Sequence, residues 1–275
     1  MSNKPVLITG CQRSGTTLLN LILDSHPMIR GIDEAEYDNA RMNEYLQDSA
    51  YYPYVVFKLP MASHFVSGFN RIPGLRVLWC VRDPRDVVLS MLKLKMKFRS
   101  PDLENVSWVS WANHPVGAAL EIENCLASLA NTVDSELLDA IKKYREINKK
   151  PPLLRSVEEA VFTAALCWRL KNQLLDLYQK ENILYKVLRY EDLITNPKLA
   201  INEVLSYLEL PWNDDVLRHH ELHSGTSIGS TENVRPIDSK NMCKWEGVLS
   251  NNELSLIQSV CSKVAKNFDY QLSIG

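Results

Sequence analysis

No stretch of these 275 residues is apolar for long enough to cross a bilayer as a helix, which takes about 20 residues. An excess of charge is also lacking: 31 Lys and Arg stand against 33 Asp and Glu, a net of −2. Without a global field, neither nucleic acid nor an anionic membrane is expected as a partner, and any anion site has to be local. The six cysteines (11, 80, 125, 167, 243 and 261) contain no C-x-x-C pair and no zinc-ligand spacing. They read as free thiols of a reducing cytoplasm. A strand signal that starts by about Pro5 leaves no room for a signal peptide, so a cytoplasmic location is expected. Internal repeats and low-complexity tracts are missing too. Glycine is scarce, ten in all, yet two of the ten fall five residues apart near the start.

Those two glycines lie in Val6-Leu-Ile-Thr-Gly-Cys-Gln-Arg-Ser-Gly-Thr-Thr-Leu-Leu19. An apolar run ends in Gly10, a polar loop follows, and a helical pattern opens at Leu18. A strand, a glycine-bearing turn and a helix start in that order cradle phosphate. The N–H groups of the first helical turn have no partner within the helix, and its dipole favours an anion. The spacing approaches G-x-x-x-x-G-K-[ST], but Thr16 stands where the lysine belongs. The usual contact to the outer phosphates of a nucleoside triphosphate is therefore lost, while Arg13 supplies a fixed, bidentate cation. The chemistry points away from ATP hydrolysis and towards another phosphorylated donor.

Further strands are expected at 54–59, 75–81 and 183–189. The run at 75–81 closes on Arg82-Asp-Pro-Arg-Asp, with Asp83 as the N-cap and Pro84 as the first residue of the next helix. Strands separated by helices predict an α/β fold, a parallel sheet flanked by helices. Over 96–182 the strand signals fade, Pro151-Pro152 interrupts, and helical patterns cover 118–131, 134–145 and 157–181. The expectation is one domain over 1–275 with a helical insertion at about 96–182. Residues 214–244 show little periodicity and read as a long functional loop. A final helix over 252–267 carries a core-facing apolar stripe.

Three features take bland readings. Lys93, Lys95, Lys97 and Arg99, spaced by two, spread over two faces of a helix and default to a solvated surface, with attraction of an acidic acceptor as the alternative. Trp108 and Trp111 either line an acceptor pocket or pack the insertion. His219-His220-x-x-His223 has a metal-like spacing with no carboxylate pattern beside it, and no metal is expected.

Four segments occur in order: Arg13-Ser-Gly-Thr-Thr; Val81-Arg-Asp through Ser90; Tyr190-Glu-Asp-Leu with Pro211-Trp212; and Ser230-Thr-Glu-Asn with Lys244-Trp245. Together they resemble the sulfotransferases that use 3′-phosphoadenosine 5′-phosphosulfate (PAPS). The likeness is to the protein-tyrosine branch more than to the small-molecule cytosolic branch. It runs from Pro5 to about Tyr270 and leaves 96–165 uncovered. The resemblance implies a P-loop-like sulfotransferase fold with PAPS as co-substrate and no metal.

By the same resemblance, Arg13, Ser14, Gly15, Thr16 and Thr17 bind the 5′-phosphosulfate, and Arg82 and Ser90 hold the 3′-phosphate. Tyr190, Lys244 and Arg235 touch the donor nucleotide, although the spacing from Ser230 to Arg235 is one residue shorter than the family pattern. Glu34 falls on the position of the branch's catalytic base, with Glu36 near enough to compete. Asp33-Glu34 stands where the family has two adjacent glutamates. A free carboxylate titrates near 4.3, so a base at this position is expected to be buried. Lys58 matches the lysine that ends the second strand and bridges donor and acceptor oxygens. A lysine ending a buried strand is costly unless an anion meets it. Ser230 assists at the same centre, which makes Glu34, Arg13, Lys58 and Ser230 the expected catalytic set.

The implied reaction is sulfuryl transfer to an acceptor hydroxyl, a peptide tyrosine or another phenol. One alternative is a sulfotransferase for small-molecule alcohols or glycolipids, a group that often uses a histidine base; His64 follows Lys58 by six residues. The other is a non-catalytic nucleotide-binding module. A homodimer is compatible with the resemblance. Eukaryotic members of the tyrosine branch sit behind a Golgi anchor, so a chain read without one fits a bacterial, cytoplasmic member.

Overall fold

Val6, Leu7 and Ile8 run apolar without alternation, the pattern of a strand covered on both faces, and all three are buried at the centre of strand β1. A computed structural model describes residues 4–41, 44–45, 52–99, 106–129, 133–223 and 235–273. In chain order its main elements are β1 Lys4–Gly10, α1 Thr16–Asp24, β2 Ile29–Ile32, β3 Tyr54–Lys58, β4 Arg76–Val81, α2 Pro84–Lys93, β5 Lys95–Arg99, β6 Val106–Ser110, α3 Leu120–Leu129, α4 Ser135–Asn148, α5 Val157–Gln173, β7 Tyr185–Arg189, α6 Tyr190–Thr195, α7 Pro197–Tyr207 and α8 Asn251–Ala265. The chain divides into two compact units. One comprises Met1–Arg82 with Tyr178–Asn241, the other Asp83–Leu177 with Met242–Gly275.

The first unit holds a five-stranded sheet in the order β2-β3-β1-β4-β7, with every pairing parallel. Four of the five strands are those expected from the apolar runs; β2 is additional. Val6, Ile8, Val56 and Leu78 of the sheet pack with Leu19 and Ile22 of α1 and with Ile201 and Val204 of α7. Connections that must cross from one parallel strand to the next place these helices on the sheet face. The sheet flanked by helices is the architecture that the alternating pattern predicted.

In the second unit α5 runs through the centre, with every residue from Ala160 to Asn172 buried. It packs against α2, α3 and α8. Its first turn is set by a capping box, in which Ser156 and Glu159 each satisfy the other's backbone N–H. Burying so long a helix also buries two cations, and each is met by carboxylate: Lys171 by Glu121, and Arg169 by Glu136 at 2.6 Å.

Of the basic run only Lys93, the last residue of α2, is on a helix. After Lys93 the chain forms an antiparallel hairpin, β5 with β6, in which Lys97 faces Trp108 and Arg99 faces Val106. A spacing of two is the strand period, so Lys95, Lys97 and Arg99 share one exposed face, while Met96 and Phe98 turn inwards. Trp108 is exposed, with the Lys97 ammonium 5.7 Å from its ring centre; Trp111 is buried. The remainder of the described residues in 96–182 is largely helical. Among the described residues no helix is long and apolar enough to cross a membrane.

Candidate active site

Each strand of the parallel sheet delivers one of the expected site residues just at or beyond its carboxyl end. Across the sheet, β2 leads to Glu34, β3 ends in Lys58, β1 leads to Arg13, β4 to Arg82 and β7 to Tyr190. Open parallel sheets bind ligands at this edge.

Lys58 has lost almost all contact with solvent, and its ammonium lies 2.9 Å from both Asp33 Oδ2 and Glu34 Oε1. The anion that a buried lysine needs is therefore double. The two carboxylates differ: Asp33 is buried and also accepts the Ala35 N–H, whereas the Glu34 side chain keeps 40% of its exposure. Burial was expected of the base, and Glu34 does not have it. A short strand that ends at the surface leaves the second residue of the Asp33-Glu34 pair open to solvent. Glu36 is exposed, and its side chain makes no ion pair among the described residues.

The loop from Gly10 to Gly15 is held in an unusual backbone path. Gly10, Arg13 and Gly15 all have positive φ, at 126°, 72° and 90°. At Gly10 a Cβ would strike the Cys80 carbonyl of β4, and at Gly15 it would strike the Tyr190 ring, so both glycines are required by contact as well as by φ. Gly15 is also the N-cap of α1. It has no side chain to cap the helix, and the first turn carries no acid, so the helix start presents its N–H groups outward. The Ser14 hydroxyl beside it is buried without a hydrogen-bond partner among the described residues. An orphaned buried hydroxyl and an uncapped helix start both fit an anion.

Two guanidiniums converge on this loop. Arg82 is buried, donates to the Arg13 carbonyl at 3.4 Å, and lies 4.5 Å over the Tyr190 ring. Its other nitrogen donates to the Asn241 carbonyl. Burial, and next the Arg82 charge, push the Arg13 guanidinium below its ordinary range, with Glu34 pulling the other way. Like charges held together under partial burial are costly unless an anion is shared between them.

A model of the sulfotransferase domain matches residues 3–231. The chain belongs to the sulfotransferase family. Among curated relatives, protein-tyrosine sulfotransferase 1 of Danio rerio is 23% identical over 88% of this chain and 65% of its own length. Protein-tyrosine sulfotransferase 2 of Gallus gallus is 21% identical over 95% of this chain and 68% of its own. The chain thus spans about two thirds of the length of these sulfotransferases, and less than that of the first. Solved sulfotransferase domains have the same fold. That of the Synechococcus PCC 7002 olefin synthase superposes with a TM-score of 0.58 at 15% identity, covering 98% of this chain and 96% of that one. The domain from the curacin biosynthetic pathway gives 0.57 at 13% identity, covering 99% of both.

The remaining expected residues of this sulfotransferase domain fall as follows. Arg235 belongs to the same unit as Arg13 and is paired with Asp238, its Nε 3.3 Å from the carboxylate. Ser90, on α2, and the exposed Lys244 belong to the other unit. Ser230 lies outside the described residues. His219 is buried, and His223 directs Nε2 to the Ser25 hydroxyl at 3.1 Å, 3.6 Å from Asp24, so the histidine triplet is divided between core and surface tasks. Asp33 was visible only as the neighbour of Glu34; its link to Lys58 depends on the pairing of β2 with β3, which no local pattern encodes. Asp83 pairs with Arg85, while Asp86 accepts backbone N–H groups far along the chain.

Proposed function

We propose that this chain moves the sulfuryl group of PAPS to the hydroxyl of an acceptor, a peptide tyrosine or another phenol. The observation that carries the reading is the row Glu34, Lys58, Arg13, Arg82 along one sheet edge, beside an uncapped helix start. Donor and acceptor chemistry need that mixture: cations for a sulfate carried on a phosphate, and a carboxylate for the acceptor's proton.

Arg13 and the N–H groups of residues 14–17 would hold the 5′-phosphosulfate, with Arg82, Ser90, Tyr190, Arg235 and Lys244 binding the nucleotide portion. Glu34 takes the acceptor's hydroxyl proton as its oxygen bonds to sulfur. The bond from sulfur to the phosphate oxygen breaks, and that oxygen keeps the electron pair. Arg13 and Lys58, with Ser230, would stabilise the charge on the moving group and on the phosphate that departs. Asp33 leaves Lys58 with a permanent counter-ion when Glu34 turns to the acceptor. The phenolic acceptor is supported by the named activity of the tyrosine sulfotransferase relatives.

The test separates donor from acceptor. Adenosine 3′,5′-bisphosphate, the donor's product, is expected to raise the melting temperature well above the rise given by ATP, because only the folded chain binds it. Labelled PAPS incubated with tyrosine peptides, phenols, alcohols and glycans should label the phenolic members. Equal stabilisation by ATP would overturn the donor; labelling confined to alcohols or glycans would overturn the acceptor; specific binding without any turnover would leave a nucleotide-binding module.

A further inference from the structure

Residues 242–248 have little to hold them by burial. Met242, Cys243, Lys244 and Val248 are exposed, and Cys243 sits at φ 53°, a left-handed conformation that a non-glycine side chain adopts at some cost. Yet the segment is fixed at two points by one carboxylate. Asp86, buried on α2, accepts the Cys243 N–H at 3.0 Å and the Trp245 N–H at 3.2 Å, one on each oxygen. The residue between those two anchor points is Lys244. A third hold acts beside them: the Arg85 guanidinium lies 4.1 Å over the Trp245 ring and is itself locked to the Asp83 carboxylate.

Position on the helix gives the arrangement its meaning. Asp86 and Ser90 are four residues apart on α2, so they lie on one face, a turn from each other. The clamp therefore ties the Lys244 backbone to the residue one helical turn before Ser90. A carboxylate has no use for a buried place on that face unless its bonds repay desolvation, and charge-assisted bonds to two N–H groups do so. We infer that Asp86 is a positioning residue for donor recognition: it does not touch the ligand but holds Lys244 in register with Ser90, so that ammonium and hydroxyl together select a phosphate on the 3′ side of the nucleotide. This rests on the donor reading above and goes beyond it, since it assigns the 3′-phosphate preference to a carboxylate of the wrong sign to bind phosphate itself.

Calorimetric titration with adenosine 3′,5′-bisphosphate and with adenosine 5′-phosphate tests the clamp. The unaltered chain is expected to prefer the bisphosphate; no preference would remove the donor reading, and the clamp with it. With that preference in hand, Asp86→Ala should weaken the bisphosphate about tenfold, the worth of one charge-assisted contact, and leave the monophosphate within about twofold. In a Lys244→Ala background the same change should cost less than about twofold, since the residue it acts through is gone. Asp86→Asn, which keeps one acceptor oxygen, should fall between, and the same cycle run with Asn decides the matter where the alanine variant does not fold. Equal loss for both ligands, or an unchanged cost without Lys244, would overturn the inference.

Discussion

A base and a cation in contact tend to disable each other, because the proton that one must take is already balanced by the charge of the other. In the proposed mechanism the difficulty is met at Lys58 by two carboxylates. Asp33 is buried and fixed by the Ala35 N–H, while Glu34 is open to solvent and replaceable. Glu34→Gln keeps the shape but cannot accept a proton, so turnover should fall by about a hundredfold or more with donor affinity nearly unchanged. Glu36→Gln should be mild, since that side chain has no partner in the row. Single-turnover rates with saturating donor check both; a crippled Glu36 variant beside an active Glu34 variant would shift the base by two positions. The place of Arg13, Lys58, Arg82 and Tyr190 at the sheet edge was legible in the sequence because each ends or follows a strand whose apolar run is local, whereas Glu34 follows β2, which has no such run, and was reached only through the resemblance. Their partners were not, because the Lys58–Asp33 and Arg82–Asn241 links join residues 25 and 159 positions apart.

At the scale of elements, the strands that were read correctly are those with continuous apolar runs. Strand β2 has only Ile-Arg-Gly-Ile, too short and mixed to announce itself; it is fixed by pairing with β3 and by the Gly31 N–H bonded to Asp24. The hairpin was missed for the opposite reason. Its alternation was visible, but the helix before it and the helical patterns after it set a helical expectation, and cross-strand pairing outweighed it. As a strand face, Lys95, Lys97 and Arg99 form a coherent stripe of positive charge beside Trp108. For an acidic tyrosine peptide the KM should rise with ionic strength as the Debye length falls below about 10 Å. Lys95→Ser with Lys97→Ser should raise it at low salt while kcat stays within about twofold. A neutral phenol should show neither effect, and a flat profile for the peptide would leave the stripe a solvated face.

For the molecule as a whole, the clearest acid-sensitive feature is His219. Burial, with His220 and His223 adding to it, pushes this histidine down from 6.5 to about 4, and its Nδ1 lacks a hydrogen-bond partner among the described residues. Between those two values the unfolded chain takes up a proton that the folded chain refuses. Stability is thus undiminished by this group above about pH 6.5 and falls as the pH drops towards 4, by roughly 2–3 kcal/mol in all. Urea midpoints at pH 7, 5.5 and 4 should show the decline, and His219→Phe should flatten that part of it. An identical slope in the variant would place the acid sensitivity elsewhere.

Charge on the hairpin face is inherited in steps of two. Any one of Lys95, Lys97 and Arg99 can be exchanged without disturbing Met96 or Phe98, because the pleat assigns them to opposite sides. Insertion or loss of a single residue at the start of β5 would instead turn the cations inwards and the apolar pair outwards. Descendants of this chain can therefore retune the stripe gradually by substitution, towards weaker, stronger or reversed charge. They cannot slide it along the strand, so the surface is open to evolution in chemistry and closed to it in position.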